Sequence, residues 1–284
     1  MRLFCMGFSY TAQALSAVMR PQGWQITATC RTDEKAAELQ KLGIAPLLLA
    51  ADPTPLALDQ LAGATHVLLS VPPTPGLPDP SLDLLAPALS DLAPDWVGYL
   101  STTGVYGDHQ GAWIDEDTPP GPVGERGRRR QAAETAWAAS GLKMHYFRLA
   151  GIYGPGRNGL RSLAAGNARR IDKPGQVFSR IHVEDIANVL AASMAKPNPG
   201  RAYSVCDDEP APPHEVVSFA AALMGVDPPP LQAFETAELS DMARSFYSEN
   251  KRIKNDRIKT ELGIELKYPT YREGLQALWD SKTY

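Results

Sequence analysis

The stretch RLFCMGFSYTA, from Arg2 to Ala12, decides how the chain is read. Its first part, Leu3 to Gly7, is a short apolar run of the kind that forms a buried strand. Its second part, Gly7-Phe-Ser9-Tyr-Thr-Ala12, is a variant of the spacing G-x-G-x-x-G. In that pattern the first glycine permits a tight strand-to-helix turn and the second lets backbone approach a pyrophosphate. The third allows close helix–strand packing. Ala12 suits the third place, while Ser9 adds a side chain at the second, where its hydroxyl could bond a phosphate. Ala14, Leu15, Val18 and Met19 then follow at helical spacing. A plain tight turn would need only the first glycine. Strand, turn and helix together predict a phosphate-binding turn made of Gly7, Phe8, Ser9, Tyr10 and Thr11.

The same rhythm continues outward from this unit. Pro21 and Gly23 stop the first helix, and Trp24–Cys30 is the second strand. Thr32 or Asp33 caps a helix through Leu42, with Gly43 just past its end. Residues 44–49, 65–70, 97–101 and 144–149 supply further apolar strands. Continuous apolar strands separated by helices mean a parallel sheet covered on both faces, a doubly wound α/β (Rossmann) fold. Pro72, Pro73, Pro75, Pro78 and Pro80 follow the fourth strand, and Pro119, Pro120 and Pro122 the fifth. They read as loops at the carboxyl edge, where this architecture binds ligands. The boundaries expected are a dinucleotide-binding domain over 1–154 with a returning segment at about 178–205. A smaller substrate-binding lobe takes 155–177 and 206–284, with one return to the main sheet near Arg180–Leu190.

Composition narrows the class. The 284 residues are 44% hydrophobic and 21% charged with a net charge of −4, ordinary for a globular enzyme and unsuited to a nucleic-acid or anionic-membrane surface. The apolar run Leu3–Met6 is too short for a signal-peptide core, and no later run approaches a membrane span. Cys5, Cys30 and Cys206 are odd in number and form no C-x-x-C, which predicts reduced thiols and no metal site. The expectation is a cytoplasmic protein with a small-molecule substrate. Arg126–Arg130 is too short and too poor in aromatics to bind nucleic acid.

The tip of the second strand chooses between cofactors. An acidic residue there bonds the ribose hydroxyls of NAD, whereas a cation accommodates the 2′-phosphate of NADP. Here the tip reads Cys30-Arg31-Thr32, and Asp33 and Glu34 belong to the following helix start, where the dipole favours them. Arg31 and Thr32 therefore point to NADP, with NAD the less favoured choice.

Trp96–Gly107, WVGYLSTTGVYG, reads as a buried strand ending in a hydroxyl-rich turn. It resembles the fifth strand of extended short-chain dehydrogenases/reductases, the NAD-dependent epimerase/dehydratase family. Further resemblance lies in Arg148-Leu-Ala-Gly-Ile-Tyr-Gly-Pro-Gly156, Arg180-Ile-His-Val-Glu-Asp-Ile186, Tyr203-Ser-Val-Cys-Asp-Asp-Glu-Pro210 and Glu261-Leu-Gly263, so that it spans nearly the whole chain. It implies that Thr102, with Thr103, bonds the substrate oxygen. It also places Asp52 near the adenine, and Ser70, Val71 and Pro72 along the cofactor. The family's Tyr-x-x-x-Lys pair is missing. Counting back from Glu134 puts Arg130 at the lysine place and Arg126 at the tyrosine place, as in the atypical subgroup. Arg126 cannot act as a general acid–base near neutral pH. Arg130 could still bond ribose hydroxyls and supply positive charge, without being a like-for-like substitute. An i, i+4 pair of Arg130 with Glu134 on a solvated helix face is the competing reading. Tyr106 is the nearest remaining phenol, with Asp108 and His109 the other titratable candidates.

At the substrate end the family's sugar-contacting Asn is Gly151, and its phosphate-binding Arg falls on Phe178, with Arg180 two residues later on the same strand face. Arg126, Gly151, Arg157 and Arg180 are the candidate substrate residues for a phosphate- or nucleotide-linked ligand. Two functions stay open: a hydride-transferring, epimerase-like oxidoreductase with altered catalytic residues, or a non-catalytic NADP(H) sensor. The resemblance also leaves a homodimer possible through the helices after strands four and five. Three consecutive arginines on the latter count against that interface.

Overall fold

The computed structural model describes residues 1–61, 63–75 and 79–284. Strand β1 (Arg2–Met6) leads into α1 (Tyr10–Met19), then β2 (Gln25–Cys30), α2 (Asp33–Lys41), β3 (Ala45–Leu48) and β4 (His66–Leu69). Next come α3 (Pro80–Leu92), β5 (Trp96–Thr102), the short β6 (Trp113–Ile114), α4 (Glu125–Ala138) and β7 (Met144–Leu149). Then follow β8 (Gly151–Tyr153), α5 (Gly159–Ala164), β9 (Arg170–Asp172), β10 (Arg180–His182), α6 (Val183–Ala195) and β11 (Ala202–Val205). The chain closes with α7 (Pro213–Met224), β12 (Leu231–Ala233), α8 (Asp241–Phe246), β13 (Arg252–Ile253), α9 (Asp256–Leu262) and α10 (Tyr271–Ser281).

Seven strands form one parallel sheet in the order β11-β7-β5-β4-β1-β2-β3, the doubly wound arrangement expected from the sequence. The order reverses between β1 and β4, so the carboxyl ends of these two strands flank the switch point where such sheets bind ligands. Their register pairs Met6 with Leu69, which brings Gly7 and Ser70 side by side.

Two compact units divide the chain. The first comprises Met1–Thr102, Arg126–Arg148 and Ile186–Tyr203; the second comprises Thr103–Glu125, Leu149–Asp185 and Ser204–Tyr284. In the first, one apolar cluster joins the sheet to α3 and α4 through Phe4, Val67, Leu85, Leu89, Tyr99 and Trp137. Two helix starts are capped by side chains, the second of them as the sequence predicts. Ser9 Oγ accepts from Ala12 N at the start of α1, and Thr32 Oγ1 accepts from Lys35 N at the start of α2. Gly43, at φ +68°, sits just past the end of α2.

The second unit is built from three two-stranded parallel pairs, β8–β10, β9–β12 and β6–β13. Around Tyr153, Leu160, Ala220 and Tyr271, residues of α5, α7 and α10 form a second apolar cluster. The Phe178, Phe234 and Tyr247 rings pack with Ile171 in a third.

Two expectations are corrected. Strand β10 does not join the main sheet: among the described residues it pairs with β8, while the chain rejoins the first unit at Ile186 and the returning strand is β11. Pro80 is not part of a loop but the first residue of α3, where its missing N–H costs nothing and its fixed φ suits the helix. Asp79 caps that helix by accepting from Ser81 N at 2.8 Å. Pro78 lies outside the described residues. All three cysteines are free and buried, and burial pushes the Cys5 thiol up to about 12. No helix among the described residues is long and apolar enough to cross a membrane.

Candidate functional site

The first unit carries the dinucleotide half. Gly7 leaves β1 at φ +78°, a conformation that L side chains rarely adopt. A β-carbon there would lie 2.9 Å from Val71 Cγ2 and 3.2 Å from Ser70 Oγ. Its N–H donates to Thr29 Oγ1 at 2.7 Å, and Ser70 Oγ donates to the carbonyls of Met6 and Gly7 at 3.0 and 3.1 Å. The turn is thus fixed from both neighbouring strands. It leaves the first turn of α1 with its backbone N–H groups and dipole for an anion. Phe8, Ser9 and Tyr10 are half-buried there, while Thr11 is buried. The Ser9 hydroxyl accepts from Ala12 N, which leaves its own proton for a phosphate oxygen. Such a cradle, closed to any β-carbon at its first position, fits a dinucleotide pyrophosphate. Arg31 and Thr32 are exposed at the tip of β2, Asp52 is exposed beyond β3, and Val71 and Pro72 follow Ser70 after β4. Thr29 is the member of this site that sequence spacing did not single out; a hydroxyl one residue inside an apolar strand end was its only signal.

Strand β5 delivers the hydroxyl turn. Ser101, buried behind it, donates to Glu134 on α4, which holds Arg148 of β7 through Arg148 Nη2 at 2.8 Å and Nε at 3.3 Å. Glu134 therefore pairs inward with Arg148, not with Arg130 on a solvated face. Arg130 instead spans to β5: Nη1 donates to Leu100 O at 2.7 Å and to Tyr99 Oη at 3.2 Å, with the guanidinium 5.5 Å over the Tyr99 ring. Close by, Asp79 accepts from Trp137 Nε1 at 2.7 Å; burial raises its carboxyl while these bonds and Arg130 pull it back. Thr102 is half-buried at the strand end, and Arg126 is exposed on the first turn of α4.

In the second unit, Thr103 to Tyr106 form a tight helical turn. Tyr106 is buried, and its hydroxyl shares a 2.9 Å bond with Ser204 Oγ. That places the phenol in a structural bond rather than at an open site. His109 Nε2 meets Tyr106 O at 3.1 Å, and Asp108 accepts from the Asn250 and Gln110 backbones, so both order the loop. Lys251, unmarked by the sequence, is buried beside this turn: its Nζ donates to Gly107 O at 2.7 Å and pairs with Glu249. Arg157 is exposed, whereas Gly151 and Arg180 are brought together as register partners across β8 and β10.

Comparison with known proteins agrees with this architecture. The model of the NAD-dependent epimerase/dehydratase family matches residues 82–206. A conserved protein of unknown function from Silicibacter pomeroyi DSS is 53% identical, with 100% of this chain and 99% of that one covered and a TM-score of 0.92. Protein YeeZ of Escherichia coli K12 is 29% identical over 279 residues, 93% of this chain and 95% of its own. MoeE5, solved in complex with UDP-glucose and NAD, shares the fold at a TM-score of 0.76 and 20% identity, with 99% of this chain and 98% of its own covered. Residues 82–206 therefore carry the NAD-dependent epimerase/dehydratase domain, on a fold that the Silicibacter pomeroyi protein shares along the full chain.

Proposed function

We propose that this protein is an NADP-dependent, epimerase-like oxidoreductase acting by hydride transfer on a small carbinol or carbonyl substrate that carries a phosphate or a nucleotide. The observation that carries the reading is the pairing of an intact phosphate turn at Gly7 with a hydroxyl turn at the end of β5. When bound, the nicotinamide ring supplies or accepts the hydride. Thr102 and Thr103 bond the substrate oxygen and hold it in line for that transfer. Arg130, anchored at Leu100 O and Tyr99, contributes fixed positive charge near the strand end. Arg31 takes the 2′-phosphate of the cofactor, and Arg126, Arg157 and Arg180 supply cationic contacts for the substrate.

The competing reading, a non-catalytic NADP(H) sensor, draws on two particular contacts. The Tyr106 hydroxyl is occupied by Ser204, and Arg130 is tied back to β5. Two variants separate the possibilities. Arg31→Glu is expected to weaken NADPH binding about 10–100-fold with little change for NADH, the loss of one charge-assisted contact. Fluorescence titration reads this directly, and equal weakening of both cofactors contradicts the NADP assignment. Thr102→Val should lower turnover about a hundredfold while NADPH affinity stays within about twofold. A variant with undiminished turnover contradicts the role given to Thr102.

A further inference from the structure

Arg180 is held along one edge only. Its Nη1 donates to Phe178 O at 2.7 Å and to Ala211 O at 3.1 Å, and the Tyr271 ring lies 6.0 Å from the guanidinium carbon. Among the described residues, Nε and Nη2 donate to no protein acceptor, and no carboxylate comes within ion-pair distance. Gly151, its register partner, brings no side chain to cover it; a β-carbon there would stand 3.8 Å from Arg180 Cγ. A guanidinium fixed by two carbonyls with its other edge open is a preorganised fork for an oxyanion.

Asp207 lies next to Arg180. It follows β11, donates its backbone N–H to Arg180 O at 2.6 Å, and is 1% exposed. Among the described residues neither of its carboxyl oxygens has a hydrogen-bond partner, and the nearby Glu209 and Arg180 backbones favour its charged form only in part. The Tyr271 hydroxyl and His182 Nε2 are likewise buried without partners. Isolated buried carboxylates are costly, whereas a protonated carboxyl is tolerated.

We propose that Arg180 and Asp207 form a proton-coupled oxyanion site, in which Arg180 takes a phosphate of the ligand on its open edge and Asp207 holds a proton while that phosphate is bound. This rests on the reading of the second unit as the substrate-binding part. The coupling follows from charge. Ionised Asp207 would neutralise Arg180 within one desolvated cluster, and an incoming phosphate would then meet no net cation. With Asp207 neutral, Arg180 is uncompensated and the ligand supplies the missing charge. One proton passes from solvent to the Asp207 carboxyl, and no bond of the ligand changes.

Burial, opposed by Arg180, pushes Asp207 up to about 8 in the free protein. Other titratable and charged groups pack around it. Burial drives Tyr153 on β8 and Tyr271 on α10 upward, lowers His182 on β10 to about 4, and raises the Cys206 thiol. Asp208 is held by Lys259 and Asn255, and Glu209 by Arg272.

Calorimetry with glucose 1-phosphate, dianionic above pH ~7.5, tests this on the NADP-loaded protein in two buffers of different ionisation enthalpy. Proton uptake should rise from about a quarter of a proton per ligand at pH 7.5 to about one at pH 9, and affinity should fall roughly eightfold. Asp207→Asn should bind equally at both pH values without proton uptake, and Arg180→Met should not bind. Binding by the unaltered protein without uptake and with a flat pH profile overturns the coupling alone, even if the Asn variant fails to fold. Binding that survives Arg180→Met, or no binding to the unaltered protein at millimolar probe, overturns the oxyanion site itself.

Discussion

Glu134→Ala is expected to destabilise the protein by about 3–5 kcal/mol, because it removes one partner of a buried ion pair and leaves the other charged and desolvated. Arg148 is 7% exposed and Glu134 8%, and both Glu134 oxygens are used, one by Arg148 and the other by Arg148 and Ser101. Losing the carboxylate therefore removes the buried counter-charge of Arg148 and the acceptor of the Ser101 hydroxyl together. The effect lies in packing, yet it reaches the site, since Ser101 precedes Thr102 on β5. Urea unfolding should show the midpoint falling with little change in slope. Glu134→Leu combined with Arg148→Met should recover much of the loss, because a well-packed apolar pair replaces the ions without a stranded charge. A loss under about 1 kcal/mol for the alanine variant would contradict the weight given to this ion pair.

Gly107→Ala should be at least as damaging, for a different reason. Gly107 has φ +76°, which costs an L residue roughly 1–2 kcal/mol. Its β-carbon would also lie 1.9 Å from the carbonyl oxygen of Gly121, a backbone atom that cannot rotate away. The turn would have to open, carrying with it the Gly107 carbonyl that Lys251 binds and the Gly121 N–H bond to Val105 O. Expected outcomes are a lower melting temperature and loss of protease protection around residues 103–125, seen by limited proteolysis with mass spectrometry. A variant as resistant as the parent protein would contradict the tight packing described for this turn.

How much of this could be seen in the chain alone follows from the range of the forces involved. The first strands and helices were legible because their signals are local: apolar runs for β1, β2 and β4, a threonine cap for α2, a glycine just past its end. Helix α3 is obscured because Pro80 reads as part of a proline-rich loop, although it opens the helix, which also tolerates Pro87 at an exposed position. The placement of β10 is not legible in the sequence because its partner β8 is selected by tertiary packing, which no periodicity records. The phosphate turn was legible from spacing, since backbone geometry demands glycine at one place. The inward pairing of Glu134 with Arg148 could not be separated by sequence from a helical Arg130–Glu134 pair. Lys251 carries no motif and is defined by a contact 144 residues away, whereas Asp207 lies within the Tyr203–Pro210 resemblance but is singled out only by its burial.

The measurement that bears most directly on the account is native mass spectrometry of the freshly purified protein, followed by identification of the small molecules it releases. The account predicts NADP(H), accompanied by a second, phosphate-bearing ligand once lysate metabolites are supplied. NADP(H) alone, with nothing further taken up, would favour the sensor over the enzyme. A protein that carries no dinucleotide and binds neither NADPH nor NADH on addition would contradict the phosphate turn at Gly7, and with it the central claim.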